Sequence, residues 1–404
     1  MLGEKDIQQQ VMRLTRGSEA CYTPQELHQA LARSAATGKP LRIKLGLDPT
    51  APDIHLGHTV VLRKVRQFQD LGHQAVIIIG DYTARIGDPS GQNKTRPVLT
   101  PDEIAAHAAT YIQQAGKILD TSGDKLEMRP NSQWLEKLSF ADVLNLTRQM
   151  TVARMMERDT FELRYKQGIP IGVHEFLYPL MQGYDSVCVQ ADVEMGGSDQ
   201  TFNNLVGRQL QANAGQRPQV VLIMPILAGL DGTEKMSKSK GNYIGVTEPP
   251  GQMFGKVMSI PDDLMRNYFT LLTDLPSERI DELADPRRTH PRAAKALLGK
   301  MIVAQFHSPP AADAAAEEFD RVFSARQAPT DMPAVKVPAG NINVVDLILS
   351  AGFAASKSEA RRLVTQGAVS LDDQKLTDID APVPVRDGAV LRVGKRRFGR
   401  IIAG

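Results

Sequence analysis

The sequence predicts an α/β protein in three parts: a parallel sheet wrapped by helices, then an α-helical domain, then a small α+β domain. Three observations predict it. Short apolar segments alternate with amphipathic helical patterns over residues 1–245. Helical patterns without comparable apolar strands fill 246–328. Beyond a proline-bearing stretch at 329–338, residues 339–404 read as two short helices followed by short strands.

The elements follow in order. Arg42–Leu47 reads as a strand, and the two-proline stretch Asp48–Asp53 after it as a loop. From His58 to Leu71, Val61, Leu62, Val65 and Phe68 recur at helical spacing, and Gly72 stops the pattern. Ala75–Ile79 is wholly apolar, as in a strand buried on both faces of a parallel sheet. Strand, helix and strand then form a right-handed crossover. Thr100, Pro101 and Glu103 make a capping box with Pro at the first helical position, so a helix starts there. Helical patterns continue from Ser132 to Leu163, and Val220–Met224 is a second buried strand. Pro329, Pro333 and Pro338 mark a linker. The last part carries helical patterns at Val344–Gly352 and Ser356–Gln366, and strands near Ala368–Leu371 and Ala389–Val393.

Composition narrows the function. With 42% apolar and 23% charged residues in a chain of 404, packed cores are expected and disorder is not. Cys21 and Cys188 are the two cysteines, too few for a disulfide framework or a structural zinc site of several thiolates. Met1–Gln10 has no apolar signal core, and the apolar run Val220–Leu230 is short and broken by Pro and Gly. The expectation is a soluble, cytoplasmic protein with no membrane partner. Net charge is +2, but residues 339–404 hold ten Lys and Arg against seven Asp and Glu. The basic excess sits in the last part, which suits nucleic acid.

Two motifs carry chemistry. His55-Leu56-Gly57-His58 lies between the first strand and the first helix. Ligands of open parallel sheets bind off the carboxyl ends of strands, where helix N-termini favour phosphate. Two imidazoles there can donate to phosphate oxygens, and Gly57 lets a flat base approach the backbone. Lys235-Met236-Ser237-Lys238-Ser239 lies in a loop between Gly232 and Gly241. Its lysines can close on a polyphosphate and offset charge developing in a transition state. Alone, the first motif could be a capping pair and the second a solvated basic loop.

Together they resemble the paired signature of class I aminoacyl-tRNA synthetases, whose catalytic domain is Rossmann-like. Three further stretches, Gly80–Gly91 (GDYTARIGDPSG), Tyr178–Asp185 (YPLMQGYD) and Glu194–Gln200 (EMGGSDQ), resemble the bacterial tyrosyl-tRNA synthetase family. The resemblance implies L-tyrosine, ATP and tRNA(Tyr) as ligands, Mg²⁺ accompanying ATP, and a homodimer with its interface around Trp134–Leu163. It implies that His55, His58, Lys235 and Lys238 are catalytic. It places Asp48, Thr50, Gly57, Gly197, Asp199, Met236, Ser237 and Ser239 around ATP. Tyr178 and Gln182 would lie near the tyrosine amino group, Thr83 and Asp88 near the ammonium, Gln200 near the carboxylate and Asp185 at the phenol hydroxyl. The spacing of Tyr178, Gln182 and Asp185 agrees independently, since i, i+4 and i+7 share one helix face.

The sequence departs from that family at two positions. Lys44 stands where many members have Tyr, and Glu194 where some have Gln. An ion pair between Lys44 and Asp185 beside the phenol is the expectation. Ser356–Ser370 resembles the αL-type RNA-binding domain. That implies RNA contacts from Lys357, Arg361 and Arg362 on its helix, and from the basic tail of Lys395, Arg396 and Arg397.

Overall fold

The computed structural model describes residues 3–48, 53–89, 100–323, 332–338, 340–380, 382–394 and 397–404. Thr50, Lys395 and Arg396 lie outside the described residues. The chain divides into two compact units, Met1–Ser308 and Pro309–Gly404.

The first unit opens with α1 (Glu4–Thr15), β1 (Ala20–Tyr22) and α2 (Pro24–Thr37). The expected strand is β2 (Arg42–Leu47). The helix after it, α3 (Leu56–Asp70), starts two residues earlier than its apolar spacing indicates, because His55 caps it. Leu56, Val60, Leu62, Val65 and Phe68 form its buried stripe. Next come β3 (Gln74–Ile79), α4 (Pro101–Ala115) and β4 (Leu126–Pro130). The Thr100 capping box forms as read, with the hydroxyl accepting from the Glu103 N–H. Such a cap stabilises a helix by about 1 kcal/mol.

The expected helical stretch after Ser132 is four short helices: α5 (Ser132–Leu135), α6 (Phe140–Thr147), α7 (Val152–Met155) and α8 (Asp159–Lys166). Then follow α9 (Leu177–Val189), β5 (Val193–Gly197), α10 (Thr201–Asn213) and β6 (Val220–Met224). The unit ends in α11 (Pro250–Met258), α12 (Met265–Leu272), α13 (Ser277–Ala284) and α14 (Pro291–Phe306).

The sheet order is β1-β6-β5-β2-β3-β4, with every pair parallel except β1 with β6. Strands run outward from β2 on one side through β3 and β4, and on the other through β5 and β6. The direction of winding therefore switches between β2 and β5. A crevice opens at the carboxyl ends there, the usual ligand position in such sheets. Ala75 to Ile79 and Val220 to Met224 are buried throughout. Each fully buried Val, Leu or Ile contributes roughly 1.5–3 kcal/mol of transfer free energy. These two strands anchor the crevice.

The second unit comprises α15 (Pro309–Phe323), β7 (Ala334–Val337), β8 (Gly340–Asn343), α16 (Val344–Ser350), α17 (Lys357–Thr365), β9 (Val369–Leu371), β10 (Gln374–Lys375), β11 (Pro382–Val385), β12 (Val390–Val393) and β13 (Arg397–Ala403). Five strands pair in the order β10-β9-β12-β13-β7, and β11 pairs with β8. Strand β7 lies inside the stretch read as linker. Val335 and Val337 alternate with exposed neighbours, and the strand pairs in parallel with Arg400 to Ala403. Its core holds Val344, Leu347, Ile348, Ala360, Val364, Leu391 and Ile401.

Candidate active site

The histidine pair is built by the start of α3. The His55 Nδ1 accepts from the Gly57 N–H at 3.2 Å, and the His58 Nδ1 accepts from the His55 N–H at 3.3 Å. With both Nδ1 atoms accepting, the proton sits on Nε2 in each neutral ring. Each imidazole therefore keeps one donor. Burial, and then the charges of Lys235 and Lys238, lower the His55 pKa to about 4. Burial lowers His58 well below its ordinary value. Both rings are neutral donors at pH 7. The motif is pinned to the chain beyond the lysine loop, since the Leu56 N–H donates to the Ile244 carbonyl at 2.9 Å and the Val246 N–H to that of Ile54 at 3.1 Å.

The lysine loop is anchored at its middle. Met236 is buried, and its N–H donates to the Leu227 carbonyl at 2.9 Å. A Cβ on Gly57 would stand 3.0 Å from the His55 ring and 3.6 Å from Met236. Gly57 thus keeps imidazole and loop close. Lys235 pairs with Asp199 at 2.6 Å, and Lys238 with Asp53. The Ser237 N–H donates to Asn242 Oδ1 at 2.8 Å, and Asn242 Nδ2 donates to Asp231. Asp231 also accepts from the N–H groups of Thr233 and Glu234, which hold its carboxyl low, at about 2. Ser237 and Ser239 hydroxyls meet at 2.8 Å.

The other end of the crevice is set by α9. Tyr178 and Asp185 are buried on one face, with Gln182 between them. Asp185 is 2% exposed. Its Oδ1 accepts from Trp134 Nε1 at 2.8 Å and its Oδ2 from Asn131 Nδ2 at 3.3 Å. Desolvation outweighs these donors and raises its pKa to about 7. Asp48 accepts from the Tyr178 hydroxyl at 2.7 Å and from the Thr83 hydroxyl at 2.9 Å. Only a glycine fits at Gly80, because a Cβ there would run into the Asp48 carboxylate. Asp88 pairs with Arg158 at 3.0 Å and accepts from Gln200 Nε2 at 2.6 Å.

One cavity of about 270 Å³ joins these groups. Asp48, His55, Gly57, His58, Thr83, Asp88, Tyr178, Gln182, Asp185, Gly197, Asp199, Gln200, Lys235 and Met236 all line it. Ser237, Lys238 and Ser239 sit further along the same loop, outside the lining. Lys44 does not line it either, and the expected Lys44–Asp185 ion pair is absent. The register of β2 with β5 sets Lys44 abreast of Glu194, and the ammonium pairs with that carboxylate at 2.7 Å.

Sequence reasoning missed Asn131, Arg158, Asp53 and Asn242, and gave Trp134 only an interface role. Asn131 directly follows β4, a position where ligand contacts concentrate, but the charges in Leu126–Pro130 hid that strand. In the second unit, Lys357, Arg361 and Arg362 are exposed on α17, while Arg397 on β13 is half-exposed and donates to the Phe353 carbonyl. Lys357 lies 3.3 Å from Asp346.

Comparison with known proteins identifies the family. Residues 36–324 match the family of class I tRNA synthetases for W and Y, and residues 324–401 match a tyrosine–tRNA ligase C-terminal domain. The tyrosine–tRNA ligase of Moorella thermoacetica is 52% identical, covering 98% of this chain and 97% of its own. That of Ralstonia nicotianae is 53% identical, covering 96% and 98%. Among solved structures, the truncated mitochondrial tyrosyl-tRNA synthetase of Aspergillus nidulans superposes with a TM-score of 0.65 at 23% identity, covering 79% of this chain and 97% of that one. The Archaeoglobus fulgidus tyrosyl-tRNA synthetase complexed with L-tyrosine gives 0.62 at 24%, covering 77% and 100%. The chain belongs to the tyrosine–tRNA ligase family of class I aminoacyl-tRNA synthetases.

Proposed function

We propose that the crevice carries out both steps of a tyrosine–tRNA ligase, with tyrosine at the Asp185 end and ATP at the histidine–lysine end. The single observation that carries this reading is the shared cavity. It sets a buried acceptor for a hydroxyl at one end and two neutral imidazole donors at the other.

In the first step the tyrosine carboxylate oxygen attacks the α-phosphorus of ATP. The bond from the α-phosphorus to the α,β-bridging oxygen breaks, and pyrophosphate leaves with that electron pair. No enzyme nucleophile is required, so catalysis is positioning and charge stabilisation. Asp185 orients the phenol. Tyr178, Gln182, Thr83 and Asp88 surround the ammonium, and Asp48, which accepts from the Tyr178 and Thr83 hydroxyls, stands between them and ATP. Gln200 holds the carboxylate. The Nε2–H groups of His55 and His58 donate to phosphate oxygens. Lys235 and Lys238 exchange Asp199 and Asp53 for the leaving pyrophosphate. In the second step the terminal adenosine hydroxyl of tRNA(Tyr) attacks the tyrosyl carbonyl; the bond from that carbon to the phosphate oxygen breaks, and AMP leaves with the electron pair while the hydroxyl proton passes to its phosphate or to water.

Mg²⁺ accompanying ATP would be held largely by phosphate oxygens and water, and would offset the charge of the polyphosphate. Among the described residues no group of three or more His, Cys, Asp or Glu gathers to hold a metal. We assign tRNA contacts to the helices of 246–328 and to the module at 339–404, where Lys357, Arg361, Arg362 and Arg397 are exposed cations and the sequence adds Lys395 and Arg396. We also infer a cytoplasmic homodimer. No helix among the described residues is long and apolar enough to cross a membrane. Phe140 (78% exposed) and Val152 (69%) are exposed apolar side chains within the expected interface stretch Trp134–Leu163, as a contact with a second copy requires. Phe140→Asp should shift the mass in light scattering towards the monomer, and an unchanged dimer would remove this surface from the interface.

Tyrosine-dependent ATP–pyrophosphate exchange tests the central reading, with tryptophan as the control. Exchange with tyrosine alone supports it. Exchange with tryptophan, or with neither, overturns it.

A further inference from the structure

Lys44 is 0% exposed in the middle of the sheet, between Ile43 and Leu45. A buried ammonium is costly unless every proton finds an acceptor. Here all three do. Lys44 Nζ donates to the Gln182 carbonyl at 2.8 Å and to the Ser186 hydroxyl at 2.7 Å, and it pairs with Glu194 Oε1 at 2.7 Å. Glu194 is 1% exposed, and its second oxygen accepts from Ser186 at 3.1 Å and from Gln219. The network is buried, and two of its anchors, the Gln182 carbonyl and the Ser186 hydroxyl, flank Asp185 on α9.

We infer that Lys44 and Glu194 are one positioning unit, which fixes the turn of α9 from Gln182 to Ser186 on the sheet and so sets Gln182 and Asp185 against tyrosine. An apolar contact between strand and helix would leave the helix free to slide or rotate by fractions of an ångström. Three directional bonds from one ammonium do not. The pair explains both departures from the family pattern at once. A charge at 44 requires an opposite charge abreast of it, and the register supplies 194. Neither residue lines the cavity, so neither touches substrate. The inference rests on the reading of Asp185 as the phenol acceptor.

The groups facing Asp185 are Lys44 and Glu194 from the sheet, Trp134 and Asn131 after β4, and Tyr178 and Cys188 on α9. Asp48 and Asp88 lie beyond Tyr178. Among these, Lys44 favours the ionised carboxylate and Glu194 opposes it. The two charges therefore push the acid limb of kcat/KM for tyrosine in opposite directions.

The test uses the full chain with Lys44→Met, Glu194→Gln and the double variant, assayed by pyrophosphate exchange from pH 5.5 to 8.5. Lys44→Met should raise KM for tyrosine about 10-fold and move the acid limb up. Glu194→Gln should move the limb down. KM for ATP should stay within about 3-fold in all three, and the double variant should recover part of the loss, because neither charge is left unpaired. If Lys44→Met does not fold while the double variant does, the compensated pair is supported by that alone. If Glu194→Gln and the double variant keep the wild-type KM for tyrosine and acid limb, or if both variants shift the limb the same way, the inference is overturned. Asp185→Asn serves as the control. If it leaves tyrosine-over-phenylalanine selectivity unchanged, the underlying reading of the pocket fails. If it abolishes selectivity while the pair variants do nothing, only the positioning unit fails.

Discussion

The two ends of the crevice are built on opposite principles. At the amino-acid end Asp185 is desolvated and fixed by an indole N–H and an amide, on a helix tied to the sheet through Lys44. At the nucleotide end Lys235 and Lys238 ride on a loop and pair with acids at least one-fifth exposed, Asp199 and Asp53. Exposed ion pairs stabilise by about 0–1 kcal/mol, so those lysines can change partners at little cost. On the proposed assignment, specificity rests on buried, hydrogen-bonded groups and charge stabilisation on more exposed ones.

The comparison breaks most readily at the loop. Lys238→Ala should lower the rate of adenylate formation by roughly 10²–10³-fold, the usual loss when one donor to developing charge is removed. The tyrosine dissociation constant should stay within about 2-fold, since Lys238 lies outside the cavity lining. Stopped-flow fluorescence separates the two quantities. Equal losses in both would put Lys238 in ground-state binding.

Asp185→Asn probes the fixed end. The amide fills the same space but presents its own N–H groups to Trp134, Asn131 or the phenol. A hydrogen bond to a buried charge is worth about 1.5–3 kcal/mol, so preference for tyrosine over phenylalanine should fall by roughly 10–100-fold. Competitive exchange assays measure that ratio. KM for ATP should not follow it.

A smaller effect tests what keeps the loop in register. Asn242 accepts from the Ser237 N–H and donates to Asp231 and the Lys235 carbonyl. Asn242→Ala loosens the motif without removing a lysine. The exchange rate should drop about 5–10-fold with tyrosine binding unchanged, as expected for misplacement rather than loss of a catalytic group. A loss as large as that of Lys238→Ala would mean Asn242 reaches the nucleotide itself.

The moving end was easier to read from sequence than the fixed end. Both its motifs are contiguous, and their chemistry follows from residue type. Strand β6 is wholly apolar, and β3 is apolar after Gln74. The fixed end is assembled from β4, β5 and α9, and its wiring depends on which side chains stand abreast. Strand β5 carries Glu194 and two glycines, and β4 carries Glu127 and Arg129, so neither looks like a core strand. The expected partner of Lys44 was the nearest carboxylate by function, Asp185. Its actual partner follows from strand register, which one sequence does not display.

The two ends should also titrate differently. Asp185 stands at about 7, raised by desolvation, so the ionised acceptor is lost as pH falls through 7. The kcat/KM for tyrosine should show an acid limb near that value, because this parameter reports the free enzyme. His55 stands at about 4, lowered by burial, and stays neutral across the same range. The kcat/KM for ATP, at saturating tyrosine, should vary by less than about 2-fold between pH 6 and 8 once the ionisation of ATP itself is allowed for. Stability carries the same contrast in sign. A raised Asp185 binds its proton more tightly when folded, so its share of stability is lost as pH rises from about 4 through 7. A lowered His55 binds its proton less tightly when folded, so its share is lost as pH falls from 6.5 towards 4. Chemical denaturation of Asp185→Asn against wild type at pH 5 and pH 8 isolates the first term. The variant should gain relative stability at pH 8, where the wild type holds a buried charge whose desolvation its donors do not fully offset. A difference that does not change with pH would mean Asp185 is already ionised, or already neutral, across the whole range.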